Sequence, residues 1–134
     1  MELKASGLQM ILVPYQKADA EDWAKVTVTV TCSGFQGEFV AWLQSEDLRR
    51  FRSDLLTMYR VVGVPGSARL CSAEPGIDIE LIMDARGHIV GLYRFESERV
   101  NGTPTMLSGE LEMDQSFIPA LTKQLDELIL SLSS

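Results

Sequence analysis

The sequence is short of the residue types that most enzyme and metal sites require. Its 134 residues include one histidine and two cysteines, whereas a structural zinc site needs four closely spaced ligands, mostly Cys and His. The glycine pattern G-x-S-x-G, which marks many catalytic serines, does not occur. The ten glycines are scattered and form no phosphate-binding loop. We therefore predict a protein that is not an enzyme and has no metal or cofactor.

Long apolar runs are also missing. None approaches the roughly 18 residues of a membrane-spanning helix, and the N-terminus MELKASGLQM lacks the basic start and apolar stretch of a secretory signal. Cys32 and Cys71 both lie among apolar neighbours, so we expect two buried thiols rather than a disulfide. The length suits one domain over residues 1–134, and we expect it in the cytoplasm.

The clearest local pattern in the first half predicts a hairpin. In AKVTVTVTCSGF the apolar residues alternate with threonines, the period of two that buries one face of a strand. A turn at Ser33 and Gly34 leads into a second strand, FQGEFVAWL. The expected core set there is Phe35, Phe39, Ala41 and Leu43, and the set facing away is Gln36, Glu38, Val40 and Trp42. An earlier segment, GLQMILVPY, predicts an edge strand because proline cannot donate to a ladder.

Two helices follow from a period near 3.6. The first begins at Ser45 as N-cap, and its apolar stripe is Leu48, Phe51, Leu55, Tyr59 and Val62. The second begins near Asp114 or Ser116, and its stripe is Ile118, Leu121, Leu125, Leu128 and Leu132. Both stripes are typical of helices that pack on a core.

The second half of the chain predicts further strands: ARLCSA, IDIELIMD, HIVGLYRFE and TMLSGELEMD. Gly87 occupies the turn between the two middle segments, at a position that usually requires a positive φ. His88 directly follows this turn, so we expect an exposed residue rather than a catalytic one. We predict the α+β class, with an antiparallel sheet of about six strands in βββα-βββα order and two helices packed on one face.

Acidic residues are concentrated in the second half. Residues 76–114 contain eight acids and three arginines, a net charge of −5 out of −7 for the chain. Strand alternation places most of these acids on the face opposite the helices. The predicted partner-binding residues are Glu38, Trp42, Asp78, Glu80, Asp84, Glu110 and Glu112. A water-facing sheet also needs polar groups, and Trp42 fits either an exposed anchor or a core residue, so both interpretations stay open.

Several motifs together resemble a known family. DAEDWAKVTVTV, GFQGEFVAWLQSEDLRRFRSDL, the Gly-His pair of the hairpin and DQSFIPALTKQLDEL are similar to the WapI-type immunity proteins, small bacterial domains associated with polymorphic toxin systems. The similarity spans most of the chain in the same order. The positions that match are Asp22, Trp23, Asp47, His88, Asp114 and Gln115. The resemblance implies a cytosolic protein that binds and neutralises a toxin domain, often a nuclease.

The sequence leaves three functions of different kinds open. The charge of −7 argues against direct binding of nucleic acid and favours a basic protein partner, in agreement with a toxin inhibitor. The alternative is a small-ligand carrier with an apolar cavity between sheet and helix, lined by Tyr93, Phe95 and Leu107. An assembly subunit that dimerises through a sheet edge is a third hypothesis.

Overall fold

The computed structural model describes residues 1–61, 63–72, 76–97 and 102–133. The strands are β1 (Glu2–Ala5), β2 (Leu8–Gln16), β3 (Trp23–Cys32), β4 (Phe35–Gln44), β5 (Gly66–Cys71), β6 (Ile77–Met83), β7 (His88–Glu96) and β8 (Met106–Asp114). The helices are α1 (Ser45–Arg60), which follows β4, and α2 (Ile118–Leu132), which follows a single 3-10 turn at Gln115–Phe117. The predicted α+β class is confirmed.

The strands form two antiparallel sheets of four strands each, in the orders β1-β2-β3-β4 and β5-β6-β7-β8. The sheets meet at one bridge, where Ser6 and Glu112 exchange backbone hydrogen bonds with N···O distances of 3.0 and 2.9 Å. The prediction of one sheet of about six strands in βββα-βββα order is therefore wrong. Each half contributes four strands and then a helix, and β1, with only four residues, is too short to show a periodic pattern.

One cluster of buried side chains joins both sheets and both helices. Helix α1 contacts β5 and α2, and α2 contacts β1 and β2. The predicted stripe of α2 is confirmed, since all five of its residues are buried. In α1 the stripe passes through Met58 rather than Tyr59, which is exposed, and Val62 lies outside the described residues. Cys32 is buried as expected, but Cys71 is exposed because it points to the outer side of β5.

The start of α1 is fixed by polar contacts from two directions. Its N-cap is Gln44 rather than Ser45, and the Asp47 carboxylate accepts from the Gln44 backbone N–H at 2.9 Å. From the loop before β3, the Asp22 carboxylate accepts from Ser45 Oγ at 2.6 Å and from the Glu46 N–H at 3.3 Å. Orphan donors at a helix start gain partners in this way, and the negative charges oppose the positive end of the helix dipole.

Candidate partner-binding face

The acidic face is the outer side of strands β6 to β8 in the second sheet. Ile77, Ile79, Leu81 and Met83 of β6 are buried, so the residues between them point outward. The outward side chains of the three strands are Asp78, Glu80, Ile82, His88, Val90, Leu92, Arg94, Glu96, Met106, Ser108, Glu110, Glu112 and Asp114. The register aligns Glu80, Leu92 and Glu110 in one row across the strands and Ile82, Val90 and Glu112 in the next.

Exposed aliphatic side chains occupy the middle of the acidic face. Ile82 is 45% exposed, Val90 38% and Leu92 48%. Because the three lie in adjacent rows of neighbouring strands, they form one apolar strip with carboxylates beside it. This strip was not predicted from the sequence, although its residues share the strand parity of the predicted acids. An apolar centre with a charged rim is typical of protein interfaces.

Asp78 does not contribute a free charge to this face. Its carboxylate accepts two hydrogen bonds from Arg69 on β5, at 3.0 Å from Nε and 2.9 Å from Nη2. This hydrogen-bonded pair raises the pKa of the Arg69 guanidinium above its ordinary value. Both side chains are exposed, so solvent screens the pair and it adds little to stability. Its effect on the face is to neutralise one of the predicted acids.

Asp84 holds the turn between β6 and β7. Its Oδ1 accepts from the backbone N–H of Arg86 at 2.9 Å and of His88 at 3.0 Å, and these bonds lower the pKa of the carboxyl below its usual value. Gly87 adopts the expected positive φ, 86°. Asp84 therefore has a structural role that accounts for its position. His88 is exposed, as predicted, with its Nε2 4.0 Å from Glu112 Oε2.

The negative charge beside the apolar strip comes from Glu80, Glu110 and Glu112. In the described part of the chain, neither Glu80 nor Glu110 lies within salt-bridge distance of a cation, and Glu112 has only the distant His88. Asp114 instead caps the 3-10 turn: its carboxylate accepts from the Ser116 hydroxyl and from the Ser116 N–H, the latter at 2.7 Å, and these bonds lower its pKa. Three carboxylates thus lie beside the apolar strip, with Arg69 opposite Glu80 across the β5–β6 pair and His88 4.0 Å from Glu112.

Glu38 and Trp42 lie on the outer side of β4, in the other sheet. Glu38 is exposed. Trp42 is half-buried, with the Lys25 ammonium 4.3 Å from its ring centroid, a cation–π contact across the β3–β4 pair. The seven residues predicted for partner binding are therefore divided between two sheets, and the five in and beside β6 to β8 stay together.

A cleft of about 520 Å³ opens between the two sheets. The carrier hypothesis placed its cavity between sheet and helix, but no helix residue lines this cleft. Of the three residues expected to line the cavity, Phe95 and Leu107 do so, whereas Tyr93 lies behind Phe95 with ring centroids 5.6 Å apart. Burial and the neighbouring Cys32 raise the pKa of Tyr93 to about 12. Phe35, predicted to face the core, is 67% exposed at the edge of the cleft because no described element covers the start of β4.

Two further features bear on function. Across residues 1–61, 63–72, 76–97 and 102–133, no three His, Cys, Asp or Glu side chains converge so as to hold a metal ion. Within the same ranges, neither helix combines the length and the apolar character needed to cross a bilayer.

Four of the six positions that carry the family resemblance have structural roles. Asp22 and Asp47 hold the start of α1, and Asp114 caps the turn before α2. Gln115 packs against Gly87, where an added Cβ would lie 2.8 Å from Gln115 Cδ. These residues join the helices to the sheets, so they identify the fold rather than a reaction.

Comparison with known proteins identifies a family for this chain. Residues 3–132 match the family described as Immunity protein WapI-like. No curated protein and no solved structure matches the chain significantly. The family match spans nearly all of the sequence and confirms the resemblance seen in its motifs. The chain therefore belongs to the WapI-like immunity protein family.

Proposed function

We propose that this protein neutralises a toxin domain by binding it through the acidic face, and that the toxin is basic and nuclease-like. Membership of an immunity family supports a protein toxin as the partner. The observation that carries the proposal is the set of three exposed or half-buried carboxylates, Glu80, Glu110 and Glu112, beside the exposed strip of Ile82, Val90 and Leu92.

The charge supports a basic partner. Nuclease surfaces that bind phosphate carry clustered Lys and Arg, and a face of opposite charge accelerates association and disfavours wrong partners. A basic partner would supply the counter-charge that Glu110 and Glu112, two residues apart on the outer side of β8, lack in the second sheet. Glu80 already faces Arg69 across the β5–β6 pair, so most of the proposed complementarity rests on the two glutamates of β8.

The apolar strip supports a specific contact rather than a purely electrostatic one. Most of the binding energy in protein interfaces comes from a few central side chains that lose water completely. Val90 and Leu92 lie at the centre of the face, and the glutamates lie at its rim. We place the protein in the bacterial cytoplasm, where an immunity protein meets a toxin that has entered the cell.

The test uses the polypeptide encoded by the reading frame immediately upstream as the candidate toxin. Co-expression with this chain should restore growth, and the purified pair should bind with an affinity that falls as salt rises. In the variant E110K/E112K, affinity should fall about tenfold or more. The control E21K/E127K changes net charge equally at exposed sites outside the acidic face and should bind nearly as the native chain does.

The possible failures differ. If the native chain neither binds nor protects against the upstream polypeptide, that polypeptide is not the toxin or the immunity function is wrong. If it protects, but E110K/E112K binds and protects equally well, the toxin is bound elsewhere and only the acidic face is rejected.

A further inference from the structure

Strands β4 and β5 are the edge strands without a bridge to the other sheet, and they differ in their protection. The edge of β5 is covered by α1, so closely that a Cβ added at Gly66 would lie 3.0 Å from Met58 Cγ. Strand β4 forms the other edge, and α1 reaches it only slightly. Phe35, Gln36 and Glu38 are exposed there. The start of β4 is thus an edge without a cover among the described elements.

This edge also lacks the usual devices that prevent strand pairing. Natural edge strands are blunted by proline, lysine, bulges or short length. Strand β4 has ten residues, FQGEFVAWLQ, with no proline and Glu38 as its only charge, and its register with β3 is continuous. In an edge strand about half of the backbone N–H and C=O groups point away from the sheet. Residues 35–40 therefore present a row of available backbone groups.

An apolar cleft lies beside the same residues. The walls of the 520 Å³ cleft include Phe39, Phe95 and Leu107, and β4 contributes residues 35–39 to its rim. Phe39 and Phe95 meet edge to face with centroids 6.2 Å apart, so the floor is already packed. A strand added to β4 would point alternate side chains into the cleft and the others toward the outer side of the sheet, where Glu38 lies.

The charge of this site favours one kind of binding partner over the others. In the described part of the chain Glu38 has no ion pair, and it is the only charged residue that lines the cleft. A basic side chain on an incoming strand would complement it across the pair. A second copy of the chain joined through β4 would bring two Glu38 carboxylates toward each other. A small apolar molecule would leave the backbone groups of β4 without partners.

We propose that residues 35–40 of β4 bind an extended segment of a partner protein by strand addition, with alternate apolar side chains in the cleft and a Lys or Arg opposite Glu38. This site lies in the first sheet and does not depend on the acidic face. Strand addition is an established mode of peptide recognition, in which backbone bonds give affinity and side-chain pockets give selectivity.

The test uses the full chain and a short synthetic peptide of alternating valine and lysine with blocked ends. A control peptide has the same charge but a central proline, which removes a backbone donor and disfavours pairing. Amide hydrogen exchange is measured with each peptide at about 1 mM, a concentration that detects weak binding. The first peptide should slow exchange at residues 35–40 at least about tenfold and leave β5 unchanged. The proline peptide should not.

Charge exchange gives a second readout. E38K should weaken binding of the valine–lysine peptide about fivefold and improve binding of the corresponding valine–glutamate peptide. The control E21K makes the same charge change at the opposite end of the β3–β4 hairpin and should alter either affinity by less than about twofold.

Four results would overturn the proposal. The peptides could fail to slow exchange at residues 35–40, or could act equally with and without proline. Those amides could become protected with rising protein concentration alone, which would identify a second copy as the occupant. Finally, the neutral probe 1-aminoanthracene could bind the cleft while the valine–lysine peptide fails to displace it, which would identify a small-ligand site.

Discussion

The outer faces of both sheets expose aliphatic side chains, but different residues lie beside those side chains in each sheet. In the first sheet, threonines separate the aliphatic side chains: Val13 and Val40 both pair with Thr27. In the second sheet, Ile82 and Val90 pair directly, and glutamates stand beside them instead of neutral hydroxyls. The first sheet thus separates its exposed aliphatic side chains mainly with neutral hydroxyls, with Glu38 as an acid opposite Thr29. The second sheet has glutamates in these positions, and this difference is the reason for assigning a partner to it.

The largest expected effect is on binding, and it compares equivalent substitutions in the two sheets. Leu92→Asp should weaken the complex with the toxin by about 2–4 kcal/mol, because it places a charge at the centre of the apolar strip. Thr29→Asp makes the same kind of change on the outer side of β3 and should leave affinity within about threefold of the native value. Isothermal titration calorimetry measures both, and thermal unfolding checks that both variants fold.

The two affinities together show which sheet binds the toxin. Equal losses from the two substitutions would mean that the sheets do not differ in function. A loss confined to Thr29→Asp would move the interface to the first sheet, near Trp42 and Glu38.

The second prediction concerns the inner sides of the sheets. A Cβ at Gly91 of β7 would lie 2.6 Å from Leu111 Cγ and 2.8 Å from Leu81 Cδ2, and both leucines are buried. Gly91→Ala should therefore lower the free energy of unfolding by about 1–3 kcal/mol through overpacking. At Gly37 of β4 the nearest atom, Val30 Cγ2, is 3.7 Å away. Gly37→Ala should change stability by no more than about 0.5 kcal/mol.

Urea denaturation of the two variants measures this difference. A similar cost at both positions would show that the interior beside the cleft is as tightly packed as the interior of the second sheet. The cleft would then be unable to admit side chains from an added strand.

Local periodicity predicted most of the elements because it depends on near neighbours. The alternation in β3 and β6 and the stripe of α2 are each visible within a few residues, and the structure has all three. In α1 the same reasoning chose Tyr59 over Met58, since both fit a helical spacing and only packing against β5 buries Met58. Family membership was also accessible from the motifs.

Features that depend on contacts between distant segments could not be predicted from the sequence. Whether eight strands form one sheet or two depends on pairing between segments far apart, such as the single bridge from Ser6 to Glu112. Alternation placed Glu80 and Glu110 on an outer face but could not show that Glu38 belongs to another sheet. It equally could not show that Arg69, on a neighbouring strand, neutralises Asp78. Strand alternation also predicts that Ile82, Val90 and Leu92 point outward, but the prediction considered only the acids.

The smallest expected effect compares the hairpin turns of the two sheets under acid. The β6–β7 turn depends on the Asp84 carboxylate, whose pKa is lowered by the N–H donors of Arg86 and His88. The β3–β4 turn uses Ser33 and Gly34 with positive φ and contains no carboxylate. Because the folded state lowers the pKa of Asp84, its stabilising contribution is complete above the ordinary aspartate pKa of about 4 and disappears as pH falls through the lower folded value.

Asp84→Asn removes the charge and keeps the shape of the side chain. The variant should be less stable than the native chain at about pH 7, and the difference should shrink as pH falls through the lowered pKa of the folded state, because protonation then makes Asp84 neutral as well. Urea midpoints measured across this range test the prediction, with Glu21→Gln as a control at an exposed acid outside the turn. A difference that is constant with pH would show that Asp84 acts through the geometry of its hydrogen bonds alone. The charge of the second sheet would then contribute to binding and not to folding.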